Sequence, residues 1–278
     1  MAKFQFNYKI SEYTPYSKLD TRNLFDRDYC EPDLSAIDTF IEKTRTLNKM
    51  IAKKVEFQEQ LPNLLLLGYI SAVESYIREI IRRLIVIDEA SQSACENQTL
   101  TYGAAIIHQN SDMLPESLLE NRYFASKKGI VDAVKDFLGI KGNLPPEVDE
   151  VLDEFSRVCQ LRHCIVHRFG KLGSSNAIKL GLMEHKECLE KPLKIDDTTL
   201  QEIFLVCNNT VKTINNFLFQ KILTRTLKLE DCMWTWDLRK DKKEFQKYYH
   251  LFVSKEDSPS IKEIYEELKK AYRNRGKK

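Results

Sequence analysis

Apolar residues along this chain recur every three or four positions over long stretches, the spacing that lays a single stripe down a helix. The clearest stretch follows Pro62 and runs from Leu64 to about Asp88, with Leu66, Ile70, Val73, Ile77, Ile80, Ile81 and Leu84 on the stripe. Another opens at the Pro145–Pro146 pair and runs from Glu147 to about Arg168, with Gly170 placed to stop it. The same period predicts a helix from a cap at Asp33 or Ser35 to about Val55, and one from Pro115 and Glu116 to Leu138, closed by Gly139. A last long helix is expected from a cap at Thr198 or Thr199 to about Thr226, with Glu202 near its start. Tyr102 to Met113 reads as a weaker helical segment, Ser91 to Thr101 as a polar terminator, and Gly173 to Pro192 as a loop or a β-hairpin. Residues 1 to 32 lack the period and read as an irregular arm or short hairpin. The expected fold is therefore all-α: a bundle of four to five long helices over residues 59–227. An N-terminal arm and first helix (1–58) precede it, and a C-terminal extension (228–278) follows.

Composition narrows the setting. Nine Gly and eight Pro in 278 residues disfavour a loop-rich sandwich, and 42% hydrophobic with 30% charged residues suits a folded globular chain. The seven cysteines are odd in number and form no CxxC pair. The opening MAKFQFNYKI has no apolar core of a secretory leader, so a reduced, cytoplasmic setting is expected. The five histidines make no zinc spacing with the cysteines, and no acidic cluster of the magnesium-binding kind is visible. No metal and no cofactor are expected. The most apolar stretch, Leu64 to Ile87, carries Glu74, Arg78, Glu79, Arg82 and Arg83, so no membrane partner is expected. A net charge of +2 demands no polyanion. Its distribution is uneven, because residues 239 to 278 hold 13 Lys and Arg against 7 Asp and Glu. With Phe245, Tyr248, Tyr249 and Phe252 between its basic runs, this tail either guides RNA or is a solvated helical face with its aromatics packed inward. The second is the expectation, with Trp234 and Trp236 anchoring the tail.

Two charges fall where the periodicity puts apolar residues. At about 100° per residue, Arg162 lies in the middle of the stripe formed by Val151, Phe155, Val158 and Ile165. Glu74 lies at the margin of the stripe on the Leu64 helix. A charge on a buried face must be paired, must snorkel outward, or belongs to a site. His163 and His167, one turn apart, share a face beside Arg162, while Arg162 and His167 lie about 140° apart around the helix. Cys159 and Cys164 read as small core residues. Imidazole and guanidinium side by side suit phosphodiester cleavage in RNA. An imidazole takes the proton of the ribose 2′-OH or gives one to the leaving 5′-oxygen, and a guanidinium meets the charge building on the phosphorus-bound oxygens.

The segment Leu161-Arg162-His163-Cys164-Ile165-Val166-His167-Arg168-Phe169-Gly170 resembles the R-x4-6-H motif of the HEPN superfamily, which includes toxin and phage-defence ribonucleases. A polar residue directly after the arginine and a glycine soon after the histidine add to the likeness. Ala72-Val73-Glu74-Ser75-Tyr76-Ile77 is similar to the earlier bundle helix that carries an acidic residue in many of these enzymes. The likeness covers roughly residues 60 to 225. It implies a homodimer in which two motifs face one cleft, with Arg162, His163 and His167 catalytic and Glu74 orienting or pairing Arg162. The implied reaction is metal-independent attack by the 2′-OH, leaving a 2′,3′-cyclic phosphate. Arg78, Arg168 and Lys171 are the cations expected to hold the RNA backbone. An antitoxin or a phage-derived trigger is the implied regulator. Some members carry a modified tyrosine two places after the histidine; here that place is Phe169, which speaks against such regulation. A non-catalytic HEPN-like module that binds nucleotides or partners, with Arg162 and Glu74 as structural charges, is the competing expectation.

Overall fold

A computed structural model describes residues 9–15, 19–52, 60–108, 113–227 and 232–274. The chain divides into a short N-terminal unit, Met1–Asp33, and a large one, Leu34–Lys278. In the first, Asp20 caps a 3-10 turn over Thr21–Leu24 by accepting from the Arg22 amide at 3.1 Å. The described remainder of that unit is exposed and without regular structure, as the missing period predicts.

The large unit is helical throughout, and among the described residues its only β pairing is one isolated bridge. It opens with α1 (Ala36–Ala52), whose first turn is held by Ser35 Oγ accepting from the Asp38 amide at 3.1 Å. Next comes α2 (Leu61–Ile87), the central helix of the core. Its buried residues include Tyr69, Ile70, Val73, Tyr76, Ile77, Ile80, Ile81 and Leu84, and it packs against α1, α6, α7 and α9. The expected end near Asp88 is an N-cap for the next helix, α3 (Glu89–Cys95), with Asp88 accepting from the Ser91 amide at 2.8 Å. The polar stretch read as a terminator is therefore partly helical. The weak segment after it is α4 (Tyr102–His108).

The helix expected over Pro115–Leu138 is two: α5 (Leu114–Leu119) and α6 (Lys127–Leu138). Between them Phe124 and Ala125 turn into the core, and Ser126, extended at φ −165°, caps α6 through the Gly129 amide at 3.1 Å. Burying that aromatic outweighs the few helical bonds a continuous helix would add. Gly139 at φ +64° closes α6 as expected. Then α7 (Pro146–Arg168) runs as predicted, burying Val148, Leu152, Phe155, Val158 and Cys159.

Gly173–Pro192 forms neither loop nor hairpin but α8 (Ser174–His185), kinked at Gly181 (φ +112°) and followed by a 3-10 turn at Lys186–Cys188. Of the hairpin only the Lys171–Pro192 bridge exists, with Leu172 and Lys191 joined by a 3.0 Å backbone bond. Burial of Asn176 and Ala177 against α7 selects the helix. The cap of α9 (Asp197–Thr226) is Asp196, which accepts from the Thr199 amide at 2.8 Å, rather than either threonine.

The tail forms α10 (Leu238–Phe252) and α11 (Ile261–Asn274), and it belongs to the large unit. Phe245, Tyr248, Phe252 and Tyr265 are buried, and Trp234 donates from Nε1 to Thr226 Oγ1 at 2.9 Å. Those aromatics point inward, and the described basic side chains of α10 and α11 are exposed except Lys269, which donates to the Trp236 carbonyl at 2.7 Å, the arrangement expected of a solvated face. Because α1 also packs on α2, the bundle extends on both sides beyond the 59–227 boundary expected for it. Among the described residues no helix is long and apolar enough to cross a membrane.

Candidate functional site

The last three turns of α7 carry buried positions on one side and exposed positions on the other. Val158 and Cys159 are buried, Arg162 is half-buried, and His163, Val166 and His167 are exposed. The helix ends because Phe169 and Gly170 both take left-handed backbone (φ +52° and +89°), with the Gly170 amide bonding back to the Cys164 carbonyl at 3.1 Å. Gly170 is the stop expected there, although Phe169 is the residue that first leaves the helix.

Arg162 does not snorkel into solvent, nor does it find a carboxylate. Its guanidinium lies over the ring of Tyr123, 6.0 Å from the centroid, and among the described residues no ion pair or hydrogen bond engages it. Glu74, half-buried on α2, comes near without pairing: both charges act on the same two neighbours. Burial pushes the Tyr123 phenol up, Arg162 pulls it back, and Cys159 and Glu74 add to the rise. Burial likewise drives the Cys159 thiol far above its ordinary range, with Cys207 and Glu74 reinforcing and Arg162 opposing. Of the expected roles of Glu74, pairing with Arg162 is not seen among the described residues; the two charges share Tyr123 and Cys159 as electrostatic neighbours. A direct pair would neutralise the guanidinium. Among the described residues its donors are left open.

The two histidines form a stacked pair, ring centroids 4.3 Å apart and tilted by 50°. His163 is held from behind. Asn176, 3% exposed on α8, places its Nδ2 3.3 Å from His163 Nδ1 and 3.2 Å from Gln160 Oε1. With the amide donating, Nδ1 accepts and the ring proton sits on Nε2, the nitrogen that faces away from Asn176. His167 has no hydrogen-bond partner among the described residues and is anchored only by its neighbour's ring.

The three expected backbone cations differ. Arg78 is committed inside the fold: it pairs with Glu116 at 3.1 Å, donates to the Arg122 carbonyl at 3.2 Å and lies over Phe124. Arg168 is paired with Glu190 at 2.7 Å across the α7–α8 loop. Lys171 is exposed, and among the described residues its side chain has no ion-pair partner.

Sequence reasoning missed Tyr123 and Asn176. Tyr123 lies in a break that periodicity read as helix, and Asn176 in a helix read as a loop or a hairpin, so neither carried a signal. Val166 and Phe169 are exposed beside His167 in the chain, and Ile178 and Met183 are exposed on α8. Chemically the set offers two imidazoles within reach of solvent and a guanidinium with uncommitted donors. Among the described residues, no three His, Cys, Asp or Glu side chains gather as a metal site. Comparison with protein-family models, curated proteins and solved structures finds no match to this chain.

Proposed function

We propose that the chain is an endoribonuclease of HEPN type, acting as a homodimer whose composite cleft joins the two α7 ends. The observation that carries this reading is a half-buried guanidinium without a carboxylate partner, on the same helix end as an exposed, stacked histidine pair. A purely structural arginine in that position would be paired, because an uncompensated charge at a packed face costs free energy. Exposed Val166 and Phe169, next to His167 in the chain, supply apolar surface for an isologous interface.

In this reading one His167 takes the proton of the ribose 2′-OH as that oxygen attacks phosphorus. The bond from phosphorus to the 5′-oxygen breaks, and the departing oxygen receives a proton from the imidazole of the other protomer. Arg162 meets the charge on the non-bridging oxygens, and His163, held through Nδ1, presents its Nε2 proton to the same phosphate. The products are a 2′,3′-cyclic phosphate and a 5′-hydroxyl, with no metal in the reaction. Lys171 guides the RNA backbone, with Arg168 assisting where Glu190 releases it. The setting that fits such an activity is a toxin or anti-phage effector.

The test is cleavage of tRNA and messenger RNA by the purified chain in EDTA, with the ends of the fragments identified. We expect cyclic phosphate ends, and a fall of about 10²–10⁴-fold for His167→Ala, the range for loss of a general acid–base group. RNA that is bound but never cut, or cut equally well by His167→Ala and Arg162→Ala, would replace the enzyme with a binding module.

A further inference from the structure

Protein interiors seldom leave voids larger than a water molecule, yet a cavity of about 320 Å³ opens where α6, α7 and α9 meet. Its size falls at the lower end of the range typical of small-molecule sites. Core side chains make its walls: Val134 from α6, Val148 and Leu152 from α7, Ile214 and Phe217 from α9. The loop after α6 covers it. Gly139 and Gly142 take left-handed backbone there (φ +64° and +103°), which turns Ile140 and Leu144 inward over the hollow. Leu152 precedes Arg162 by ten residues, about 15 Å along the helix, so the cavity is separate from the histidine site.

The rim has one sign of charge. Lys135, Lys141 and Lys221 border the cavity, and no Asp or Glu lines it. All three are exposed, and among the described residues none is in an ion pair; Lys221 lies over the Phe217 ring at 5.7 Å. The nearby carboxylates on α6 are already engaged, Asp132 with Lys128 and Asp136 with Arg122. Apart from the lysines, Asn143 is the one lining residue with a polar side chain, so the interior has nothing to read the edge of a nucleobase.

We propose that this cavity binds a small amphipathic anion: an unbranched aliphatic chain lodged among the aliphatic walls, with a terminal carboxylate held by the lysine rim. The apolar body gains from leaving water, and the head group gains from three uncompensated cations whose attraction weakens with salt. A neutral chain has only the first contribution, and a cationic chain is repelled.

Isothermal titration calorimetry of the full chain with decanoate, decanol and decyltrimethylammonium tests this. Decanoate is expected to bind at least tenfold more tightly than either of the others, and more weakly as salt is raised. The double variant Lys141→Glu/Lys221→Glu, altered only at exposed positions, is expected to weaken decanoate about tenfold while its circular dichroism and Tm stay unchanged. Val131→Trp, which fills the hollow from α6, is expected to abolish binding. No binding of decanoate to the wild type, equal affinity for all three head groups, or undiminished binding by the lysine variant would each overturn the proposal.

Discussion

Asn176 shows how one buried amide ties a local conformation to a chemical group. Its nitrogen reaches both Gln160 Oε1 and His163 Nδ1 from α8, across the α7–α8 seam, and the Asn176 side chain is itself buried. Removing it leaves the Gln160 oxygen and the His163 nitrogen without their donor. Asn176→Ala is therefore expected to cost about 1–3 kcal/mol in urea unfolding. It is also expected to release the His163 tautomer, visible as a shift of the ring ¹⁵N resonances toward a mixture of Nδ1–H and Nε2–H forms. A stability loss with unchanged ring resonances would mean that Asn176 supports the seam and not the imidazole. Arg162 teaches a complementary point. Periodicity identified it as a charge on the wrong face, but only the fold shows that it lies over the Tyr123 ring and, among the described residues, in no salt bridge.

At the scale of elements, the break between α5 and α6 deserves the closest comparison with the sequence pattern. The pattern from Pro115 to Leu138 is helical throughout, yet Tyr123–Ser126 crosses the first turn of α6 so closely that a Cβ on Gly129 would meet the Tyr123 carbonyl oxygen at 1.9 Å. Since that oxygen is backbone, no rotamer change relieves the clash. Gly129→Ala is expected to destabilise the chain by about 1–3 kcal/mol, the range for overpacking, and to move the Tyr123 ring away from Arg162. Gly103→Ala is the control: its Cβ meets nothing within 4 Å on α4, so the usual helical preference for alanine gives up to about 1 kcal/mol of stabilisation. Equal urea midpoints for the two variants would contradict the account of this junction. The α8 segment makes a parallel case, since Gly173 before it, Gly181 within it and a bridge-forming Pro192 after it give a loop-like local pattern until Ala177 and Asn176 find α7 to pack against.

Over the whole molecule, a buried carboxylate on α10 ties the tail's own segments together, joining α11 and the Thr235–Trp236 stretch to α10. Burial acts to raise the Asp241 pKa, but hydrogen bonds from the Tyr265 hydroxyl, the Thr235 hydroxyl (2.8 Å) and the Trp236 amide (3.0 Å) outweigh it and hold the group below the ordinary aspartate range. A depressed folded-state pKa adds stability that is fully present above the unfolded pKa of about 4 and is lost as pH falls toward the folded value. Trp236 donates its amide to this carboxylate and packs on Tyr265, and Trp234 packs on Phe245 of the same helix, so tryptophan emission reports the state of the tail. In acid titration the emission is expected to shift to the red below about pH 4, before the helical signal falls. In Asp241→Asn that acid step is expected to disappear, and the neutral-pH stability to drop. An emission change that tracks global unfolding in both proteins would show that the tail is not an independently docked element.

The sequence by itself determined the helical class, the long central helix, the bounds of α7 and the inward turn of the tail aromatics, because each follows from a period of apolar residues that only a helix brings to one side. It also singled out Arg162, His163, His167 and Glu74, since a charge inside an apolar stripe is visible without coordinates. Tertiary structure decided what those groups touch. It split the Pro115–Leu138 helix to bury Phe124, made α8 out of an apparent hairpin, bound Arg78 and Arg168 to carboxylates distant in sequence, and brought Tyr123 and Asn176 to the site. These outcomes depend on contacts between residues far apart along the chain, where burial of one aromatic or one amide outweighs the local preference of the segment that carries it.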